Sequence, residues 1–169
     1  MPETEKQTKR KKKLMKNNIF VGMEETCEPP EWFDNVKPFL ERVLEKLKLD
    51  HWEVSVMFCN DSFIRTLNSQ YRNIDSPTDV LSFEGGDEYA DDDGVVWYAA
   101  GDIVISIDTL LTNCTEFAVT LNEELKRLLV HGILHLNGMD HTDNSPEQEM
   151  LVFQEKLLKE MEDETIVKE

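Results

Sequence analysis

His131-Gly132-Ile133-Leu134-His135-Leu136-Asn137-Gly138-Met139-Asp140-His141 is the stretch on which the reading of this chain turns. Upstream of it, Thr120 and Glu123 form a Thr-x-x-Glu capping box ahead of an apolar run, which predicts a helix over residues 121–137. Gly138 is well placed to end that helix in a left-handed turn. On such a helix His131 and His135, four residues apart, project from one face a single turn apart. Once Gly138 lets the chain double back, His141 can reach the same point from the turn. Three of the chain's four histidines fall in these eleven residues. The fourth, His51, lies at a helix–strand junction and reads as a bystander.

Three neutral imidazoles converging on one point suit Zn²⁺, with nickel or copper as competitors. Three protein ligands leave one tetrahedral position open, and open sites are catalytic far more often than structural ones. Water in that position has a pKa near ~7 and supplies hydroxide at neutral pH, so a nucleophile and a Lewis acid come together. A second possibility stays open, in which Asp140 or Asp143 closes the site. Zinc peptidases share the three-histidine spacing in the motif HExxHxxGxxH, but Gly132 stands where they carry their general base. Peptide hydrolysis is therefore the less favoured chemistry. Asp140 fits two roles equally: a proton acceptor near the metal, or a cap on the turn beside His141.

Outward from this segment the chain mixes helices and strands without a regular βαβ alternation, so the fold class expected is α+β in a single domain. A helical stripe of Phe39, Leu40, Val43, Leu44 and Leu47 follows Pro29-Pro30. Trp52, Val54, Val56 and Phe58 alternate with polar residues as a half-buried strand over 52–59. A short helix is expected over 61–70, capped by Asn60 or Asp61, and then a polar loop over 71–79. Val80 to Phe83 reads as a short strand. Residues 84–94, with six acids and three glycines, read as a flexible acidic loop. Strands are expected over 95–99 and 103–107, a short helix over 108–117, and a last helix from Pro146 to about Met161.

The charge is lopsided. Residues 1–16 carry seven of the 18 basic residues and two of the 35 acids, leaving 11 basic against 33 acidic residues from Asn17 onward, a net of −22. Residues 1–18 read as a disordered basic tail, with the folded domain over 19–165. An acidic body repels a polyanion at long range and disfavours generic nucleic-acid binding. No apolar run reaches the roughly 18 residues needed to span a bilayer, and the basic start has no apolar stretch behind it, so a cytoplasmic protein is expected. Cys27, Cys59 and Cys114 form no CxxC pair and read as buried or bystander thiols. Arg65 and Arg72 are the only basic residues between Leu49 and Leu125. Arg72, in the polar loop, fits either a phosphate or a salt bridge to one of the many acids.

Four segments together resemble the motifs of the bacterial YbeY family: Leu67-Asn68-Ser69-Gln70-Tyr71-Arg72, Asp75-Ser76-Pro77-Thr78-Asp79-Val80-Leu81-Ser82-Phe83, Gly101-Asp102-Ile103-Val104-Ile105, and His131-Gly132-Ile133-Leu134-His135 through Asp140-His141. The resemblance runs over residues 53–158 in the family's order. It implies a compact α+β domain with a mixed sheet. It implies single-strand-specific endoribonuclease activity, serving 3′-end maturation of small-subunit (16S) ribosomal RNA and ribosome quality control. The family's zinc histidines map onto His131, His135 and His141, and its functional arginine onto Arg72. RNA and small-subunit assembly factors become the expected partners, with Lys126 and Arg127 as further substrate contacts or simply a solvated helix face. The chain departs from the family's pattern at Glu84, where proline usually follows Leu-Ser-Phe, and at Asn137, often apolar. A zinc peptidase with a relocated base, and a non-catalytic ribosome-assembly factor with structural zinc, are the alternative readings.

Overall fold

The alternation in Trp52–Cys59 decides how the sheet is dressed. This strand, β2, buries Trp52, Val54, Val56 and Phe58 on one face. In the computed structural model, which describes residues 15–169, β2 lies inside a four-stranded sheet ordered β1-β2-β4-β3. β1 (Asn18–Met23) and β4 (Val96–Ser106) run parallel to β2, and β3 (Val80–Ala90) pairs antiparallel with β4. The sheet is thus mixed, as the family resemblance implies.

The inner face of the sheet is covered by α1 (Val36–Lys46), which follows a 3-10 turn at Phe33–Asn35, and by α4 (Leu121–Leu136). Val36, Phe39, Leu40, Val43 and Leu44 from α1 meet Leu125, Leu129 and Ile133 from α4 in one core with Ile103 and Ile105. Each such side chain, fully withdrawn from water, contributes about 1.5–3 kcal/mol. α2 (Asp61–Arg72) covers part of the outer face, where Ile64 packs with Cys59, Leu81 and Val104. α3 (Ile107–Glu116) and α5 (Glu149–Glu160) pack against α4.

Several sequence expectations shift. Strand β1 was not expected, and Lys16 and Asn17 are already bound to the body: Lys16 N donates to Asp50 Oδ1 at 2.8 Å, and Trp52 N donates to Asn17 Oδ1 at 2.8 Å. The part of the tail over residues 1–14 lies outside the described residues. At the other end the core includes the fully buried Ile166, one residue past the expected boundary. α2 continues to Arg72 and closes on Asn73 in the left-handed conformation, φ 58°, so Tyr71 and Arg72 belong to a helix end, not a loop. The acidic stretch 84–94 is largely the arm of a β-hairpin, with the turn between Ala90 and Val96. Asp91 fixes that turn by accepting from Asp93 N and Val95 N at 2.9 Å each, and from Trp97 Nε1 at 3.0 Å. The strands expected at 95–99 and 103–107 are one strand, with a bulge at Ala100 in its pairing with β2. α5 starts at Glu149, three residues later than expected. Cys27, Cys59 and Cys114 are free thiols.

Candidate metal centre

Thr120 accepts from Glu123 N while the Glu123 carboxylate takes the Thr120 N–H, so the capping box forms as read and starts α4 in the register that follows. That register sends Leu125, Leu129 and Ile133 into the core and His131 and His135 out of it toward a cavity. Gly138, at φ 85°, turns the chain after the helix, and its N–H closes on His135 O at 3.0 Å. His141 thereby returns to the other two. The three imidazoles offer nitrogens all within 4.8 Å of one another.

The tautomers are set by the atoms behind the rings. His131 Nδ1 lies 2.7 Å from Gln154 Oε1, His135 Nδ1 3.1 Å from Met139 O, and His141 Nδ1 2.8 Å from Asp143 O. An amide oxygen or a carbonyl only accepts, so each Nδ1 carries the proton and each Nε2 presents a lone pair. His131 Nε2 and His135 Nε2 then face each other at 3.0 Å, lone pair against lone pair. Two nitrogens bound tetrahedrally to one zinc sit about 3.3 Å apart. The donor set thus fits a divalent cation that relieves this repulsion. Burial, more than the neighbouring imidazoles, holds the pKa of both His131 and His135 below the usual histidine range, which keeps them neutral and ready to ligate.

Gln154, buried on α5 and 23 residues away in sequence, is the member of this arrangement that sequence reading missed. Nothing local marks it out, because its contact depends on how α5 packs on α4. Two more unexpected groups line the same cavity, Asp79 and the buried Glu124, and Asn113 Nδ2 donates to both at 3.0 and 3.4 Å.

The other expected site residues fall into three positions. Arg72 is exposed, reaches the cavity lining, and has no ion pair among the described residues. Arg127 also lines it, but its guanidinium is bound to Glu155 at 3.0 and 3.4 Å and to Glu124 at 3.4 Å. Lys126 is elsewhere. It is buried, and its Nζ donates to Met161 O at 2.7 Å and Glu164 O at 2.8 Å, so it ties the C-terminal segment to α4 and presents no charge to the metal side. Asp140 is open to solvent at the cavity rim, where its Oδ1 accepts from His141 N at 2.8 Å. Asp143 likewise caps its own turn through Ser145 N at 2.7 Å, and its backbone carbonyl faces His141.

Gly132, which stands where zinc peptidases carry glutamate, packs against β4. A Cβ there would lie 2.8–3.0 Å from side-chain atoms of the buried Ile103, so a side chain at this position would have to displace Ile103 from the core.

The cavity, about 720 Å³, is lined by Thr78, Asp79, Ser82 and Glu84 from the β3 side and by the three histidines from the α4 side. Known proteins match this chain over most of its length. The family profile described as Endoribonuclease YbeY matches residues 21–162. A protein of that name from Treponema denticola is 61% identical over 146 residues, covering 85% of this chain and 93% of its own length. The Endoribonuclease YbeY of Borreliella burgdorferi is 42% identical over 127 residues, 72% of this chain and 82% of that protein. The solution structure of TM1509 from Thermotoga maritima superimposes with a TM-score of 0.60 at 31% identity, over 86% of this chain and 90% of that one. With its three convergent imidazoles carried in this register, the chain belongs to the Endoribonuclease YbeY family.

Proposed function

We propose that this protein is a zinc-dependent, single-strand-specific endoribonuclease of the cytoplasm, acting in 3′-end maturation of small-subunit ribosomal RNA and in ribosome quality control alongside small-subunit assembly factors. The observation that carries the catalytic part is the set of three Nε2 lone pairs on one cavity wall, with the guanidinium of Arg72, which makes no ion pair among the described residues, on the same cavity. Zinc bound there supplies Lewis acidity and an activated water for attack on a phosphodiester.

The chain's own groups divide the remaining work. Arg72 presents a planar fork suited to two phosphate oxygens and offsets the charge that builds on phosphorus in the transition state. Arg127 adds a weaker positive field, since Glu155 and Glu124 already hold it. Asp140 Oδ1 at the rim is the proton acceptor of this reading. Gln154, Met139 and Asp143 hold the three rings in one tautomer, so the lone pairs stay aimed at one point. No helix among the described residues is long and apolar enough to cross a membrane.

The test is cleavage of a labelled single-stranded RNA by the metal-loaded protein and by Arg72→Ala and His135→Ala. The expected result is loss of cleavage in both variants and after chelation. Equal cleavage by all three proteins would assign the activity to a contaminant.

A further inference from the structure

The endoribonuclease reading, on which this inference rests, raises a question of affinity. Proteins normally hold a polynucleotide mainly through phosphate contacts. Here the body from Asn17 onward carries a net charge of −22, and the cavity lining offers two basic side chains, of which Arg127 is already paired with two glutamates. Arg72 alone cannot supply the usual electrostatic grip.

Next to Arg72 stands Tyr71, in the same last turn of α2, 61% exposed. Its ring meets Phe83 edge-on, with centroids 5.2 Å apart and planes at 69°. Phe83 is anchored in the cluster that α2 makes with the outer face of the sheet. Tyr71 is therefore braced on one side and open to solvent on the other, and its hydroxyl has no hydrogen bond among the described residues. Ile74, just past the αL turn at Asn73, is also exposed, at 50%. Ser82 and Glu84, which flank Phe83 and alternate to the opposite face of β3, line the cavity, so the Tyr71–Phe83 pair and the cavity lie on the two faces of this edge strand, and Arg72, next to Tyr71, is the residue that reaches from one to the other.

We propose that Tyr71, braced by Phe83, is a stacking platform for one unpaired nucleobase of the RNA whose neighbouring phosphate Arg72 binds. A base face is free to stack only in a single strand; a duplex keeps it covered. Stacking then replaces the phosphate contacts that the acidic body forgoes and makes the preference for single strands a property of this surface.

The experiment is single-turnover cleavage of a labelled single-stranded oligonucleotide by the metal-loaded protein over a range of protein concentrations, which separates half-saturation from the maximal rate. Tyr71→Ala is expected to raise the half-saturating concentration about tenfold, with the maximal rate changed less than about threefold, and Tyr71→Phe to match the wild type. A scan of single abasic positions should find one at which the wild type loses the same factor while Tyr71→Ala loses nothing further. Half-saturation within twofold of wild type in Tyr71→Ala, or abasic losses that simply add to the substitution, would overturn the platform while leaving the nuclease intact. No cleavage of single-stranded RNA by the wild type would overturn the endoribonuclease reading, and the platform with it. Thermal melts guard against misfolding, and an unfolded alanine variant is replaced by Tyr71→Ser in the same scan.

Discussion

Gln154→Leu tests whether the ring-orienting contact matters for the metal. The substitution keeps the buried volume roughly constant but removes the oxygen 2.7 Å from His131 Nδ1. Two consequences follow. A buried N–H left without an acceptor costs about 1–3 kcal/mol. The ring is also freed to move its proton to Nε2, where it would donate to His135 Nε2 at 3.0 Å and occupy the metal's place. Loss of such a supporting partner typically lowers metal affinity about 10- to 100-fold, or about 1.4–2.8 kcal/mol, in the same range as the first figure. Gln154→Glu, which supplies a charged acceptor, should bind at least as tightly as the wild type. The assay is zinc competition against a chromophoric chelator at pH 7.5, with thermal melts of the chelated and loaded forms. A folded Leu variant that binds zinc within twofold of wild type would refute the reasoning.

Other consequences are as specific. With the metal chelated, His131 and His135 have folded pKa values pushed below the unfolded value of about 6.5, chiefly by burial. The unfolded chain therefore binds more protons below that pH, and the stability these two contribute, intact above about 6.5, is lost as pH falls through their folded values; urea melts from pH 7.5 to 5.5 should show a steeper decline for the wild type than for a His131→Asn/His135→Asn variant, and identical slopes would refute this. Gly101→Ala should fail to fold or melt more than about 10 °C lower, because a Cβ at φ 133° would lie 2.1 Å from Phe83 O and 2.9 Å from Gly85 N; a melt within a few degrees of wild type would contradict it. Lys126→Met should lower stability by roughly 1–3 kcal/mol, since Met161 O and Glu164 O lose their donor, yet leave RNA affinity within about twofold; a large loss of affinity in a stable variant would return Lys126 to the substrate side.

What could be read from the sequence was whatever local pattern decides. The alternation of Trp52 to Cys59 gave β2 its bounds, and the Thr120–Glu123 box with Gly138 gave α4 its ends and the direction of His131 and His135. The acidic arm was misread because its strand character comes from backbone pairing with Val96 to Ala99, not from apolar alternation, and Gly85, Gly86 and Gly101 interrupt the pattern at the bulges. β1 is six residues long and holds its place by pairing with β2 across more than thirty residues of chain. Arg72 stands out in the sequence by its isolation, but its position at a helix end depends on Asn73 adopting αL. Gln154, Asn113 and Glu124 meet the site only through helix packing, which no spacing along the chain reveals.

The three ligands do not share one kind of support. His131 and His135 are bolted to α4, whose other face is sunk in the core, whereas His141 hangs from the short span beyond Gly138, held by contacts within that span. Capture of a metal ion here is therefore expected to be ordered, with the helical pair forming the seat and the third imidazole closing over it. Escape of the ion is expected to run in reverse, beginning with His141. Alterations between Gly138 and Gln148 should accordingly change how long the ion stays, more than how fast it arrives.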